Sequence, residues 1–403
     1  MTTGAPPREG PRLAATLRGE DERVTPLELF FDLVFVLALT QCTALMAAEP
    51  TWEGFGKAAL VLAMLWWSWS GYAWLTSVVD PEDDVVRLTI FAAMTAFLMA
   101  ALAVPRAFED DALVFAAAYA VVRAAHIALF WLASREDPGL RTAVTGLGIS
   151  TLLASGLLAA ASATDGTLQA LLWLVALVVD IGVPLLLIDA DGWRMVPQHF
   201  AERFGLIVII ALGESIVAIG VGVESGITLG VAAAAVLAMI VAAALWWMYF
   251  DVVALVAAKR LENAAPGRER NSIGRDSYGI LHLPMIAGIV FIALGFKKTL
   301  GHVDEHLKVE TATALLGGTS AYLLAHVAFR WRNIHTLNRQ RLAMSVVLVA
   351  LIPLAVEISA LATLGMLTVL LAGLVAYERV HFRGARNRLR ERLLHPVAEP
   401  ECL

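Results

Sequence analysis

Three carboxylates stand inside apolar stretches long enough to cross a bilayer: Asp32, Asp180 and Glu214. With them are one guanidinium, Arg123, and two imidazoles, His126 and His326. A charge at mid-bilayer costs on the order of 2.5–3.5 kcal/mol on insertion scales, so such a group faces a partner, a cavity or a proton path rather than lipid. Carboxylates at that depth can bind a proton or a cation, and an imidazole, which titrates near neutral pH, can relay a proton. A buried Arg123 needs an anion, and Asp180, Glu214 or Asp32 can supply it. Glu214 lies in the apolar run 199–220, twelve residues beyond Glu202, or about 18 Å further along a helix axis. Glu202 and Arg203 at the start of that run read as interfacial anchors, the carboxylate also favouring the helix dipole. Thr25-Pro26-Leu27-Glu28 has the spacing of a capping box, which gives Glu28 a structural task. Asp32, one turn deeper on the same face, has no cap to make. Glu357, close to Pro353, is either one more deep acid or a residue of the outer rim.

Each of these has a plainer reading. His126 and His326 more often end as neutral rings bonded to backbone carbonyls. Glu214 could make only a structural hydrogen bond to a neighbouring helix, since Gly205, Gly213 and Gly220 let another helix come close. His302-Val-Asp-Glu-His306 fits the H-x-x-E-H pattern of inverted zinc peptidases. It is a short outer loop with no obvious third ligand, so a solvated loop and no metal are expected. No Walker loop, G-x-S-x-G elbow or dinucleotide fingerprint occurs, and no cofactor is expected. Cys42 and Cys402 are too few for a disulfide framework or a thiolate metal site. Trp66-Trp67 and Trp246-Trp247 read as packing or interfacial residues.

The elements that must position these groups follow from composition. Of 403 residues, 59% are hydrophobic and 16% charged, against about 25% charged in soluble domains. The fold class is therefore all-α, a polytopic membrane protein. Its partner is the lipid bilayer, and the net charge of −6 gives no case for nucleic acid. Apolar runs of spanning length predict twelve helices: 27–47, 58–78, 88–105, 112–133, 143–162 and 168–188, then 200–222, 228–250, 279–299, 311–330, 342–361 and 363–382. Threading the chain through them puts all the loop cations except Lys57, Arg106, Lys297, Lys298 and Lys308 on the side of the N-terminus. By the positive-inside rule that side is the cytoplasm, both termini are cytoplasmic and the span count is even. Residues 1–24 are polar and of mixed charge, so the first helix reads as an uncleaved anchor.

The halves resemble each other. Phe31–Gln41 parallels Phe204–Glu214, and Val61–Trp67 parallels the segment that opens at Val236 and reaches Trp246-Trp247. His126–Trp131 parallels His326–Trp331, and Leu177–Asp180 parallels Val375–Glu378. The order is kept, at the first, second, fourth and sixth helix of each half. Six helices per half give two parallel repeats related by an axis along the membrane normal. The organisation expected is a cytoplasmic segment 1–26, a first half 27–188, a linker 189–199, a second half 200–382 and a basic cytoplasmic tail 383–403. Glu214 aligns with the neutral Gln41, which concentrates ion-coupled chemistry in the second half.

The stretches Thr25-Pro-Leu-Glu-Leu-Phe-Phe-Asp-Leu-Val-Phe-Val36 and His199-Phe-Ala-Glu-Arg-Phe-Gly-Leu206, the latter continuing through Ala211-Leu-Gly-Glu-Ser215, resemble the bacterial low temperature requirement A family. The likeness covers nearly the whole chain. It implies a polytopic protein of the bacterial inner membrane that supports growth in the cold, in a family without an established substrate. The function expected is transport or permeation of a small solute or ion, with Glu214, Asp180, Asp32, Arg123, His126 and His326 in the pathway and a proton or cation on the deep carboxylates. The alternatives are a membrane-embedded enzyme acting on lipid, and a scaffold or sensor that transports nothing. Oligomeric state is left open.

Overall fold

The computed structural model describes residues 23–187, 191, 193–223 and 226–394. The expected N-terminal segment, the linker and the tail each lie partly outside them. Among the described residues every named element is a helix, and His306 and Ser359 form an isolated backbone bridge.

Eleven helices are long and apolar enough to cross a membrane. In the first half they are α1 (Pro26–Ala48), α2 (Trp52–Thr76), α3 (Asp84–Arg106), α4 (Ala112–Ala133), α5 (Pro138–Ala161) and α6 (Gly166–Leu186). In the second they are α7 (Pro197–Gly222), α8 (Leu229–Glu262), α9 (Arg268–Gly301), α10 (Val309–Ile334) and α13 (Ala360–His381). Their starts are written locally. Asp83, Asp137, Thr228 and Ser359 accept amides of the following turn, and Pro26, Pro138 and Pro197 open helices where no amide donor is needed.

The twelfth expected span, 342–361, is not one helix. It is α11 (Arg339–Ala350) and α12 (Ile352–Glu357), broken at Leu351. Pro353 is the physical reason: it lacks an amide proton, and its ring crowds the preceding turn. The broken segment still runs the length of α13. Arg341 at its start ion-pairs with Glu378 in the last turns of α13, and Ser359 just beyond its end caps the first turn of α13. A short basic helix, α14 (Arg383–Leu394), follows. α6, α9 and α10 each contain a wide π-turn, at Val178–Gly182, Gly274–Ile280 and Thr313–Gly317.

In the first half α1 packs on α2 and α3, α3 on α4, α4 on α5, α5 on α6, and α2 on α4 and α6. In the second, α7 packs on α8 and α9, α9 on α10, α10 on α11, α11 on α13, and α8 on α10 and α13. The halves meet where α1 and α2 lie against α7 and α9. That seam is aromatic. Trp66 and Trp69 pack edge-on against Phe204 with ring centroids 5.9 and 5.1 Å away, and Trp66 Nε1 donates to the Gly279 carbonyl at 2.7 Å. Trp66 is thus a buried packing residue, whereas Trp246 is exposed.

Where α9 crosses α10, glycines face each other. A Cβ on Gly288 would lie 2.6 Å from the Gly318 carbonyl oxygen, and one on Gly318 would lie 2.9 Å from that of Gly288. Backbone cannot move aside as a side-chain tip can, so this crossing needs both glycines. Gly288→Val is expected to cost about 1–3 kcal/mol, the usual range for overpacking, and to lower the melting temperature of the purified protein in detergent. Gly220→Ala, at a position with open space around its Cβ, is the control that should not lower it.

Candidate functional site

The six candidate side chains fall into four places. At the first, the capping box on α1 forms as its spacing predicts, with Thr25 and Glu28 satisfying each other's backbone amides. Glu28 does more than cap. Its Oε1 lies 3.1 Å from Arg203 Nη1 and 2.9 Å from His199 Nε2. Arg203 Nη2 reaches Asp32 Oδ1 at 2.7 Å, and Trp69 Nε1 donates to the same oxygen at 2.8 Å. Glu28, Asp32, His199 and Arg203 are all at most 1% exposed. Arg203 is therefore not an interfacial anchor. Glu28 and Asp32 are four residues apart on one face of α1, and His199 and Arg203 are four apart on one face of α7. When the two helices pack, two acids meet two bases. Only Glu202, the neighbour of Arg203, stays exposed.

At the second place Arg123 takes Asp180 as its anion. The Arg123 Nη2 to Asp180 Oδ1 distance is 2.9 Å, and both side chains are at most 1% exposed. Thr151 on α5 accepts from Arg123 Nη2 at 2.9 Å and donates to Asp180 Oδ1 at 3.1 Å, and the Tyr119 hydroxyl donates to Asp180 Oδ2. Asp180 stands in the π-turn of α6. His126 completes the group, its Nδ1 3.5 Å from Arg123 Nη1. Gly71 backs the ring so closely that an added Cβ would lie 2.9 Å from His126 Cε1.

The third place holds His326. Arg341 Nη1 donates to His326 Nδ1 at 2.9 Å and grips Glu378 through Nε at 3.0 Å and Nη2 at 2.9 Å. A guanidinium offers only donors, so the Nδ1 that faces it is an unprotonated acceptor. The backbone carbonyl expected as partner for this ring is replaced by an arginine. A histidine not singled out in the sequence makes that carbonyl bond instead. His282, wholly buried, donates from Nδ1 to the Ser277 carbonyl at 2.9 Å, and its Nε2 lies 2.8 Å from the Tyr249 hydroxyl.

Glu214 stands apart from these three groups. It is 1% exposed in the packing of α7 on α1 and α9. The Thr40 hydroxyl of α1 bonds its Oε2, and among the described residues no basic side chain lies within ion-pairing distance. Asp32, Asp180 and Glu214 thus occupy separate surroundings rather than one shared site. Glu357 is exposed at the end of α12, a rim residue. His302 meets Glu305 at 3.2 Å in the exposed loop after α9, and no metal-binding group of His, Cys, Asp or Glu forms among the described residues.

A cavity of about 90 Å³ lies between the halves. Arg123, His126 and Gly71 line it from the first half, Trp193 from the linker, and Arg275 and Gly279 from α9. Arg203, Arg341, Thr40 and His282 were not legible as site residues one at a time. For Arg203 the signal was present as two complementary pairs at four-residue spacing, at the starts of the first and seventh helices.

A model of the bacterial low temperature requirement A protein matches residues 23–376. The chain belongs to that family. The match takes in every residue of the four places except Glu378. This LtrA-family chain is also 32% identical over 312 residues to an uncharacterized protein of Rhizobium meliloti (strain 1021), an alignment covering 73% of the chain and 74% of that protein. No solved structure matches it.

Removing one partner of a buried ion pair costs about 3–5 kcal/mol, because the other charge is left without an opposite. Arg123→Met is therefore expected to reduce folded yield and melting temperature sharply. Adding Asp180→Asn should recover most of the loss; a double variant no better than the single one would contradict the pairing.

Proposed function

We propose that this chain forms a permeation or transport path across the bacterial inner membrane for a small solute or ion, with Glu214 as its proton- or cation-binding group. The observation that carries the reading is the company Glu214 keeps. Asp32, Asp180 and Glu378 are each held by a guanidinium, while the Glu214 carboxylate has a hydroxyl for a partner and feels the Lys297 ammonium of α9 only from beyond ion-pairing distance. Burying a carboxylate in that way is costly when it is charged, so a proton or metal cation has a large energetic reason to settle there.

Thr40 suits both states of the acid. Its single hydroxyl proton can go to the Val36 carbonyl, 3.2 Å away, when Glu214 is protonated and donates to Thr40. The proton can turn to the carboxylate when Glu214 is ionised. One contact therefore stays satisfied through a cycle of proton binding and release.

The arrangement of helices supports two parallel repeats, residues 26–186 and 197–381. Each pair of packed neighbours in the first half has its counterpart in the second: α1 on α3 corresponds to α7 on α9, and α2 on α6 to α8 on α13. In transporters with internal repeats the solute site lies at the repeat interface, where the cavity lined by Arg123, His126 and Arg275 is found. The cation bias of the loops supports an orientation with both termini in the cytoplasm. The family's growth phenotype would follow if that flux becomes limiting in the cold.

Reconstituted into proteoliposomes with an entrapped pH-sensitive dye, the protein is expected to carry proton flux that falls at least tenfold in Glu214→Gln. Size-exclusion and melting profiles should stay near those of the parent. Undiminished flux in a folded Glu214→Gln variant would refute the assignment.

A further inference from the structure

The structure holds a second, larger cavity that the path just described does not use. It has a volume of about 630 Å³ and sits at the end of the second half where α10 finishes, α11 begins, α13 finishes and α14 packs back. Five arginines line it: Arg330 from α10, Arg339 and Arg341 from α11, Arg379 from α13 and Arg386 from α14. Against them stand two carboxylates, Asp251 and Glu378. A bias of cations toward one face of a membrane explains why arginines collect at this end of the bundle. It does not explain why five surround one hollow.

The pairing inside the hollow is incomplete. Arg341 spends its fork on Glu378, and Arg386 Nη1 lies 3.4 Å from Asp251 Oδ2. Arg330 Nε donates to the Thr336 hydroxyl, and Arg379 lies over the Trp247 ring at 5.5 Å. Among the described residues neither Arg330, Arg339 nor Arg379 has a carboxylate within ion-pairing distance. Two buried donors or acceptors on the wall also lack partners, Arg386 Nε and His326 Nε2, and His326 is 1% exposed. Between the arginines the wall is mostly apolar, with Val252, Val256, Phe329 and Leu337, and it also carries the amides of Asn333, Asn338 and Gln340.

We propose that this cavity binds a phosphate group, presented either on a membrane phospholipid or as a free phosphate. Planar guanidinium forks match phosphate oxygens and carry their charge at any working pH. Excess positive charge without an internal counter-ion calls for an anion of more than one acceptor oxygen. The volume falls within the range of about 300–1,000 Å³ typical of ligand sites, which leaves room for the apolar start of a lipid beside the headgroup. The site stands on side chains distinct from Glu214, so it can hold or fail independently of the proposed flux.

The test uses the full chain purified in a non-ionic detergent and followed by thermal shift at constant ionic strength. One arm titrates inorganic phosphate, and the other compares mixed micelles of phosphatidylglycerol with those of phosphatidylcholine. A rise in melting temperature with phosphate identifies a free anion; a rise with phosphatidylglycerol alone identifies the lipid headgroup. In either arm Arg339→Ala/Arg379→Ala is expected to weaken the half-saturating concentration at least tenfold. Both residues are exposed, so the fold should survive their loss, and each single variant provides the same reading at smaller amplitude. Arg383→Ala/Arg388→Ala, in exposed positions of α14 that do not line the cavity, should leave the response unchanged. No response of the parent protein in either arm, or an equal loss in the Arg383/Arg388 control, would overturn the proposal.

Discussion

The ion pairs of Arg203 with Glu28 and Asp32 are the interaction on which the rest of the architecture depends. They lie within the first two turns of α1 and α7, the opening helix of each half, and all three side chains are at most 1% exposed. In hydrocarbon, neither helix could carry its charges alone. An isolated α1 would present two unpaired carboxylates and an isolated α7 an unpaired guanidinium, each costing several kcal/mol. The charges therefore act less as a source of stability than as a condition of assembly: α1 and α7 can be buried only against each other and only in one register. The aromatic seam of Trp66, Trp69 and Phe204 then packs above a junction whose alignment the charges have already set.

The same constraint is met twice more, by two different routes. In the first half a histidine on the fourth helix, an acid on the sixth and a guanidinium between them form His126, Asp180 and Arg123; in the second they are His326, Glu378 and Arg341. The guanidinium comes from α4 in one case, three residues before the histidine, and from α11 in the other. What is common is the set of partners, a histidine and an acid, and not the helix that carries the guanidinium. An arginine side chain is long enough to reach such partners from either of two neighbouring helices. One difference separates the halves. The Arg123 group borders a small cavity lined from both halves, while the Arg341 group borders a larger one crowded with further arginines.

The sequence disclosed the helices well because lipid imposes a length and a composition on every span, and these are local properties. It disclosed the break at Pro353 less well. Hydropathy averages over some twenty residues and does not register one missing amide, so 342–361 reads as a continuous span when it is α11 and α12. For the site, the deep acids were visible as charges in apolar surroundings, and Arg123 was visible as a cation in need of one of them. Which acid it takes is a matter of packing: Asp180 is 57 residues away along the chain and only the fold brings it near. Arg203 and Arg341 were hidden for the opposite reason. Each lies close to the end of an apolar run, where an arginine ordinarily reaches water, and nothing local reveals that a partner helix covers it.

The π-turns are further departures from regular helix. Non-helical or widened backbone within a membrane is tolerated where it is buried in protein or lines a cavity, because carbonyls released from the helix pattern must find other donors. Two of the three π-turns obey this at the junction of the halves. The turn in α9 offers the Ser277 carbonyl to His282 and the Gly279 carbonyl to Trp66, and Gly279 and Arg275 line the central cavity. The turn in α6 carries Asp180, and Pro184 and Leu185 just beyond it line the same cavity. A π-turn inserts an extra residue into a helix and commonly marks a functional position. Here one such turn holds the anion of Arg123 and the other supplies part of the opposite wall. The backbone departs from regularity on two walls of a cavity that both halves line, and in each case a group released there, Asp180 or the Gly279 carbonyl, bonds a side chain of another helix.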